Sequence, residues 1–201
     1  MELVHSGASP FVRMALAMAH ETGLADQITL RQVKTSPLES AREALAANPL
    51  GKIPALIRPD GATLYDSRVI CRYLDARGGA GLYPEARLWE VLTLEATAHG
   101  IAEAAVLMIY EKRLRPAEAQ SEAWIEAQWG KVTGGLDALE ARWMSHLHGP
   151  LDASQIAVAC ALGYLDFRHS DREWKATRPG LAAWQGKMSA RPSMIATAPA
   201  G

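Results

Sequence analysis

No basic run, no long apolar stretch and almost no cysteine occur in this sequence, and each absence narrows its class. Its 201 residues carry 21 Lys and Arg against 22 Asp and Glu, a net charge of −1. The basic residues are scattered, which excludes the charged face that a nucleic-acid partner requires. The two cysteines, Cys71 and Cys160, each fall inside an apolar helical pattern. They read as buried thiols, not as a disulfide or a metal pair. The six histidines show no ligand spacing. His146 and His148 stand beside Gly149 and Pro150, where a helix exits. No metal is therefore expected. The start, Met1 to His5, has neither the basic nor the apolar stretch of a signal peptide. No segment approaches the ~20 apolar residues of a membrane span. The expectation is a cytoplasmic protein with no membrane partner. There is no internal repeat.

One stretch is crowded with punctuation. Asn48, Pro49, Leu50, Gly51, Lys52, Ile53, Pro54, Ala55 and Leu56 run in order, and Asp66-Ser67 begins ten residues after Leu56. Two prolines, a turn glycine and a lysine precede an apolar run, which fits a backbone shape held for a purpose or a stiff helix-to-strand connection. A cis Ile53–Pro54 bond would turn the Ile53 amide and carbonyl outward to pair with something else.

Periodicity supplies the rest of the first half. Leu3 to His5 reads as a buried strand. Ser9-Pro10 offers a hydroxyl cap and a first-turn proline, and Phe11, Met14, Ala15, Met18 and Ala19 follow at helical spacing as far as Gly23. Ile28 to Val33 alternates like a strand. Ser36 to Ala47 reads as a short helix. Ala55–Ile57 and Thr63–Tyr65 flank Pro59-Asp60-Gly61 as a hairpin. Ser67 then caps a helix over 68–77. The order β-α-β-α-β-β-α predicts a small α/β domain over 1–78. Gly78, Gly79 and Gly81 mark a linker. From residue 84 to 201 only helical periodicity remains, over 85–113, 118–147, 153–169 and about 180–190, which predicts an all-helical domain. Asp152 with Gln155 forms a capping-box variant for the helix over 153–169. Trp124, Trp129, Trp143, Trp174 and Trp184 read as core or interface packing. Residues 196–201 read as a loose tail.

This order, with the crowded loop and Asp66-Ser67 opening a helix, resembles the cytosolic glutathione transferase superfamily, in a bacterial, Ser-type form. Ser9-Pro10-Phe11-Val12-Arg13 resembles the first helix of many bacterial members. Residues 159–168 resemble their long core helix, and Arg191-Pro192-Ser193 their C-terminal end. The resemblance implies a thioredoxin-like glutathione-binding domain followed by an all-helical substrate domain, with glutathione as substrate. It also implies a homodimer, built from the first domain of one subunit against the helical domain of the other. The fold hosts many reactions.

Carried over residue by residue, Ile53 pairs its backbone with the cysteinyl part of glutathione and Pro54 is the cis-proline. Asp66 and Ser67 hold the γ-glutamyl end, while Lys52 and Lys34 approach the glycyl carboxylate. The plain alternatives are a solvated Lys52 and an N-cap at Ser67, the latter compatible with a carboxylate site. No tyrosine lies near the end of the first strand and no cysteine in the first loop. That argues against the Tyr-type and thiol-exchange classes. Ser9 and Ser6 remain as hydroxyls for the thiolate. Ser9 is favoured because it joins a hydroxyl to a helix N-terminus, with capping alone as its alternative. Arg13, one turn on, reads as a structural ion pair more than a ligand contact. The second-substrate pocket is expected between the domains, with Phe11, His99, Glu103 and Leu107 lining it. His99, Glu103, Leu107 and Tyr110 share one helical face. That face reads equally as a dimer contact or a solvated edge. The function implied is conjugation of the glutathione thiolate to small hydrophobic electrophiles, a detoxification chemistry. The alternatives are a non-catalytic binding or regulatory relative and a glutathione-dependent isomerase or dehalogenase.

Overall fold

The structure is a computed structural model that describes residues 1–200. The chain divides into two compact units. One joins residues 1–86 to residues 192–200, and the other spans Arg87–Arg191.

In the first unit β1 (Glu2–His5) is the middle strand of a three-stranded sheet. β2 (Thr29–Gln32) runs parallel to it, with Leu3 opposite Leu30, and β3 (Ala55–Ile57) runs antiparallel, with Val4 opposite Ala55. A parallel neighbour needs a crossover, and α1 (Pro10–Glu21) provides it. The predicted hairpin arm after β3 is a single bridge between Leu56 and Leu64. Val4, Val33, Ala44, Ala47 and Ala55 form the core on one face of the sheet, under α2 (Arg42–Ala47). Leu3 and Leu56 alternate with them and are also buried. α1 packs against α3 (Ser67–Gly78).

Four expectations for this unit change. The helix predicted from Ser36 begins only at Arg42. Residues 36–41 are instead a loop in which the Ser36 hydroxyl accepts from the Glu39 amide (3.1 Å) and the Thr35 hydroxyl from the Ala41 amide (3.1 Å). Short hydroxyl side chains next to a proline compete for the amides a helix would use. Second, Asp66 and not Ser67 is the N-cap of α3, accepting from the Arg68 amide at 3.0 Å. Third, the glycine linker is pinned: the Asp75 carboxylate accepts from the Leu82 and Tyr83 amides at 2.8 and 3.2 Å. Fourth, the second domain does not run to the end. α9 (Pro192–Ala196) packs on α1, and Thr197, Ala198 and Ala200 after it are hydrogen-bonded, not loose, while Gly201 of the expected tail lies outside the described residues.

The second unit contains α4 (Leu88–Leu114), α5 (Glu122–Ala138), α6 (Met144–Leu147), α7 (Ala153–Arg168) and α8 (Pro179–Ser189). The helix predicted over 118–147 is interrupted by a π-turn at Leu139–Trp143. Glu140 in that turn accepts from the Gly180 and Leu181 amides (3.0 and 2.6 Å) and so caps α8. Asp152 is fully buried and caps α7 through the Ser154 and Gln155 amides at 3.0 and 3.4 Å. Its other oxygen meets His146 Nε2 at 2.8 Å and Arg87 at 3.6 Å. Gln155 donates to the Pro150 and His146 carbonyls. Contrary to the composition reading, α4 is long and apolar enough to cross a membrane. Within the unit it is a core helix: Val91, Leu94, Ala98, Ala102, Ala105 and Met108 are buried, and it packs on α5 and α7.

Candidate functional site

The candidate residues of the first unit converge through strand register. β1 pairs Val4 with Ala55, so continuing this register by one and two residues puts His5 level with Pro54 and Ser6 level with Ile53. The Leu56–Leu64 bridge carries the same step to Asp66, which falls beside Pro54. On the other side His5 pairs with Gln32 and its carbonyl accepts from the Val33 amide at 2.9 Å, which brings Lys34 to the same end. Neighbouring strands lie about 4.8 Å apart. Ser6, Ser9, Lys34, Ile53, Pro54, Asp66 and Ser67 thus gather at the C-terminal end of β1, and Lys52 immediately precedes them.

Ser9 is the N-cap of α1, and its Oγ accepts from the Val12 amide at 3.3 Å. A hydroxyl that accepts an amide still has its own proton to donate. Its backbone N–H donates to the Ser6 carbonyl at 3.2 Å, closing the loop on itself. The Ile53–Pro54 peptide is cis, as is Tyr65–Asp66. Asn48 braces this loop: its Nδ2 donates to the Lys52 carbonyl at 3.0 Å, and its Oδ1 accepts from the Leu50 amide at 3.0 Å. Gly51 has a positive φ of 63° and lies under Ser40, where a Cβ would stand 2.5 Å from the hydroxyl. Lys34 and Lys52 are exposed. Asp66 is exposed and paired with Arg68 at 2.9 Å, whereas Ser67 at the first position of α3 is buried. Both helices present their N-terminal ends, the positive pole of the backbone dipole, to this region.

Sequence reasoning passed over His5 and Gly7 as functional residues here and gave Arg13 a different role. His5 ends β1 with its Nδ1 buried and without a hydrogen-bond partner among the described residues, and burial lowers its pKa from 6.5. Among the described residues Arg13 does not make the expected structural ion pair; it donates to the Met194 carbonyl at 3.1 Å and leaves its buried Nε without a partner. Gly7 lies under the backbone of Ala200. Only the return of α9 makes the last two visible, and nothing in the sequence signals that return.

The residues expected to meet a second substrate belong to both units, Phe11 to the first and His99, Glu103 and Leu107 to the second. Phe11 is half-buried on α1. His99 is buried in the second unit with its Nδ1 on the Glu95 carbonyl at 2.9 Å, so it does not share an open face with Glu103 and Leu107. Those two line a groove of about 470 Å³ between α4 and α5, with Gly100, Gln128 and Lys131. At 3.6 residues per turn a four-residue step places His99 beside Glu103 on a projection, but an i−4 carbonyl bond draws the imidazole back along the helix.

A family model for the glutathione S-transferase N-terminal domain matches residues 8–77, and one for the C-terminal domain matches residues 122–184. The uncharacterized GST-like protein YibF of Escherichia coli (strain K12) is 33% identical over 204 residues, covering 99% of this chain and 98% of its own. A glutathione transferase family member from Pseudomonas fluorescens Pf-5, solved with bound glutathione, superposes with a TM-score of 0.97 at 45% identity, over 100% of this chain and 99% of that one. The same family member with bound S-(propanoic acid)-glutathione gives a TM-score of 0.92 at 45% identity, over 100% of both chains.

Proposed function

Because the chain belongs to the glutathione S-transferase family, we propose that it binds reduced glutathione at the C-terminal end of β1 and conjugates its thiolate to small apolar electrophiles. Glutathione carries two carboxylates, an ammonium, two amides and a thiol. Ile53 takes the cysteinyl main chain as an added strand. Ser67 and the first amides of α3 take the γ-glutamyl carboxylate. Asp66, whose carboxylate is exposed at the start of α3, takes the ammonium. Lys52 and Lys34 meet the glycyl carboxylate.

The chemistry depends on the thiol. Its ordinary pKa is ~8.5, and lowering it by about 2 units needs about 2.7 kcal/mol of preferential thiolate binding. The Ser9 hydroxyl, aimed from a helix N-terminus, supplies a donor and a favourable dipole together. Ser6, on the same loop, is the second candidate. The sulfur lone pair then forms a C–S bond with the electrophilic carbon. A leaving group departs with its electron pair, or, at a conjugated acceptor, the adjacent carbon takes a proton from solvent. Phe11, two residues beyond Ser9, is the apolar contact proposed for the electrophile.

The observation that carries this reading is a relative, 45% identical across the whole chain, that holds a thioether of glutathione. The test is product analysis with glutathione and a panel containing an aryl halide and a conjugated acid. Enzyme-dependent thioether is the expected result. Binding of glutathione with no product from any electrophile would move the assignment to a binding protein, an isomerase or a dehalogenase. A homodimer is part of the proposal. The groove beside α4 and α5 carries both Glu103 and Lys131, a pairing of signs that suits an isologous contact. Light scattering that gives the mass of one chain would remove it.

A further inference from the structure

Residues 192–200 lie along α1 and reach the loop that carries Ser6 and Ser9. Arg13 holds the Met194 carbonyl at 3.1 Å, Ser193 donates to Glu21 at 2.5 Å, and Thr197 donates back to the Ser193 carbonyl at 2.7 Å. The segment ends on the loop itself, where the Ala200 amide donates to the Gly7 carbonyl at 3.3 Å. A Cβ at Gly7 would stand 2.9 Å from the Ala200 carbonyl oxygen. Among the described residues the glycines with positive φ are Gly23, Gly51, Gly79 and Gly81. Gly7 is not among them, so its lack of a side chain serves the close approach of residue 200 and not a special backbone shape.

We propose that residues 198–200 are a positioning element for the thiol site, holding the Gly7 carbonyl so that the Ser6–Ser9 loop keeps its hydroxyls aimed at the sulfur. This rests on the glutathione reading above. The loop is four residues long. Its start is fixed by the bond from the Val33 amide to the His5 carbonyl, and its end by the bond from the Ser9 amide to the Ser6 carbonyl. Ala200 supplies the contact at its middle. A donor displaced by about 1 Å loses most of its preferential hold on a developing charge. Without Ala200 the Gly7 carbonyl turns to water and the loop samples other shapes. The γ-glutamyl and glycyl contacts lie on other loops and are untouched.

Two variants test this from opposite sides. A chain ended after Thr197 keeps α9 and its bonds to α1 but removes the cover. Gly7→Ala keeps the cover and pushes it off. Thermal melting checks that each remains folded. Both are expected to raise the pKa of the bound thiol by about one unit, which cuts the thiolate at neutral pH about threefold when the starting value lies about 2 units below ~8.5. Both should leave the glutathione Kd within about threefold. Combining them should do no more harm than the worse single change, because both break one contact. An unchanged thiol pKa in the shortened chain, or additive losses, would overturn the proposal. If the unaltered protein takes up no glutathione, the functional reading fails instead. The loop is then judged by amide hydrogen exchange over Gly7–Ser9, which must quicken in the shortened chain and overturns the proposal if it does not.

Discussion

The two units use polar residues in opposite ways. In the first, the polar groups of interest stand at element ends: Lys34, Lys52 and Asp66 are exposed, and Ser6 and Ser9 half-buried. In the second they are sealed. Asp152, Ser154, Gln155, His169 and Arg178 are all buried, and each answers a backbone or ionic need inside the unit. His169 donates to the Ala105 carbonyl at 3.0 Å, and Arg178 holds Asp137 and the Trp174 carbonyl. A buried group whose bonds are all internal holds the fold, because leaving it unpaired is costly. A group at an exposed loop end has capacity for a ligand. Mutations should therefore divide cleanly: stability is lost in the second unit and chemistry in the first.

The largest effect is expected from Asp152→Ala. It removes two cap bonds of α7 and leaves His146 and Arg87 without their carboxylate. Breaking a buried pair by removing one partner costs about 3–5 kcal/mol. Denaturant unfolding should report that loss while the folded fraction keeps its glutathione affinity. Loss of affinity without loss of stability would break the division. Ser9→Ala comes next and acts in the other direction. Conjugation should fall about a hundredfold in kcat/KM, as for loss of one preorganised donor. Stability should fall by only ~1 kcal/mol, the value of a helix cap. If Ser6→Ala is the more damaging change, the assignment passes to Ser6.

A smaller effect concerns acid. Burial lowers the pKa of His169 from 6.5 in the folded state, outweighing the opposite pull of the Ala105 carbonyl and Asp171. As pH falls through 6.5 the unfolded chain takes the proton first, so this contribution is complete above 6.5 and is lost below it. His169→Gln, which keeps a donor toward Ala105, should flatten the fall in melting temperature between neutral pH and mild acid. His5 shifts in the same direction, so the flattening is partial. An unchanged pH profile would remove His169 from the account. The smallest effect is a gain: Gly186 lies exposed inside α8 with open space where a Cβ would stand. Gly186→Ala should stabilise by about 0.5–1 kcal/mol with activity unchanged.

The same division explains what could be read in the sequence. The loops of the first unit were legible because turn residues and caps act over a few positions: Ser9-Pro10 before α1, Ile53-Pro54 before β3 and Asp66-Ser67 at α3 carry their own instructions. The cap of α3 slipped by one residue because Asp and Ser both suit it. Residues 36–41 misled because Ser, Pro and Glu permit a helix start, yet here the hydroxyls are satisfied in a loop. On α4 the period was legible but the inward face was not. Apolar residues occur on all its sides, and His99 went in where a wet face was expected. The return of residues 192–200 to α1 is a long-range contact with no local signature, and with it went the roles of Gly7 and Arg13.

The central claim is that the end of β1 is a glutathione site, and calorimetric titration of the purified protein with reduced glutathione near neutral pH tests it most directly. Saturable binding with a Kd between micromolar and low millimolar is predicted, weakened by Lys52→Ala. Absence of saturable heat would contradict the claim and leave the fold without its proposed ligand.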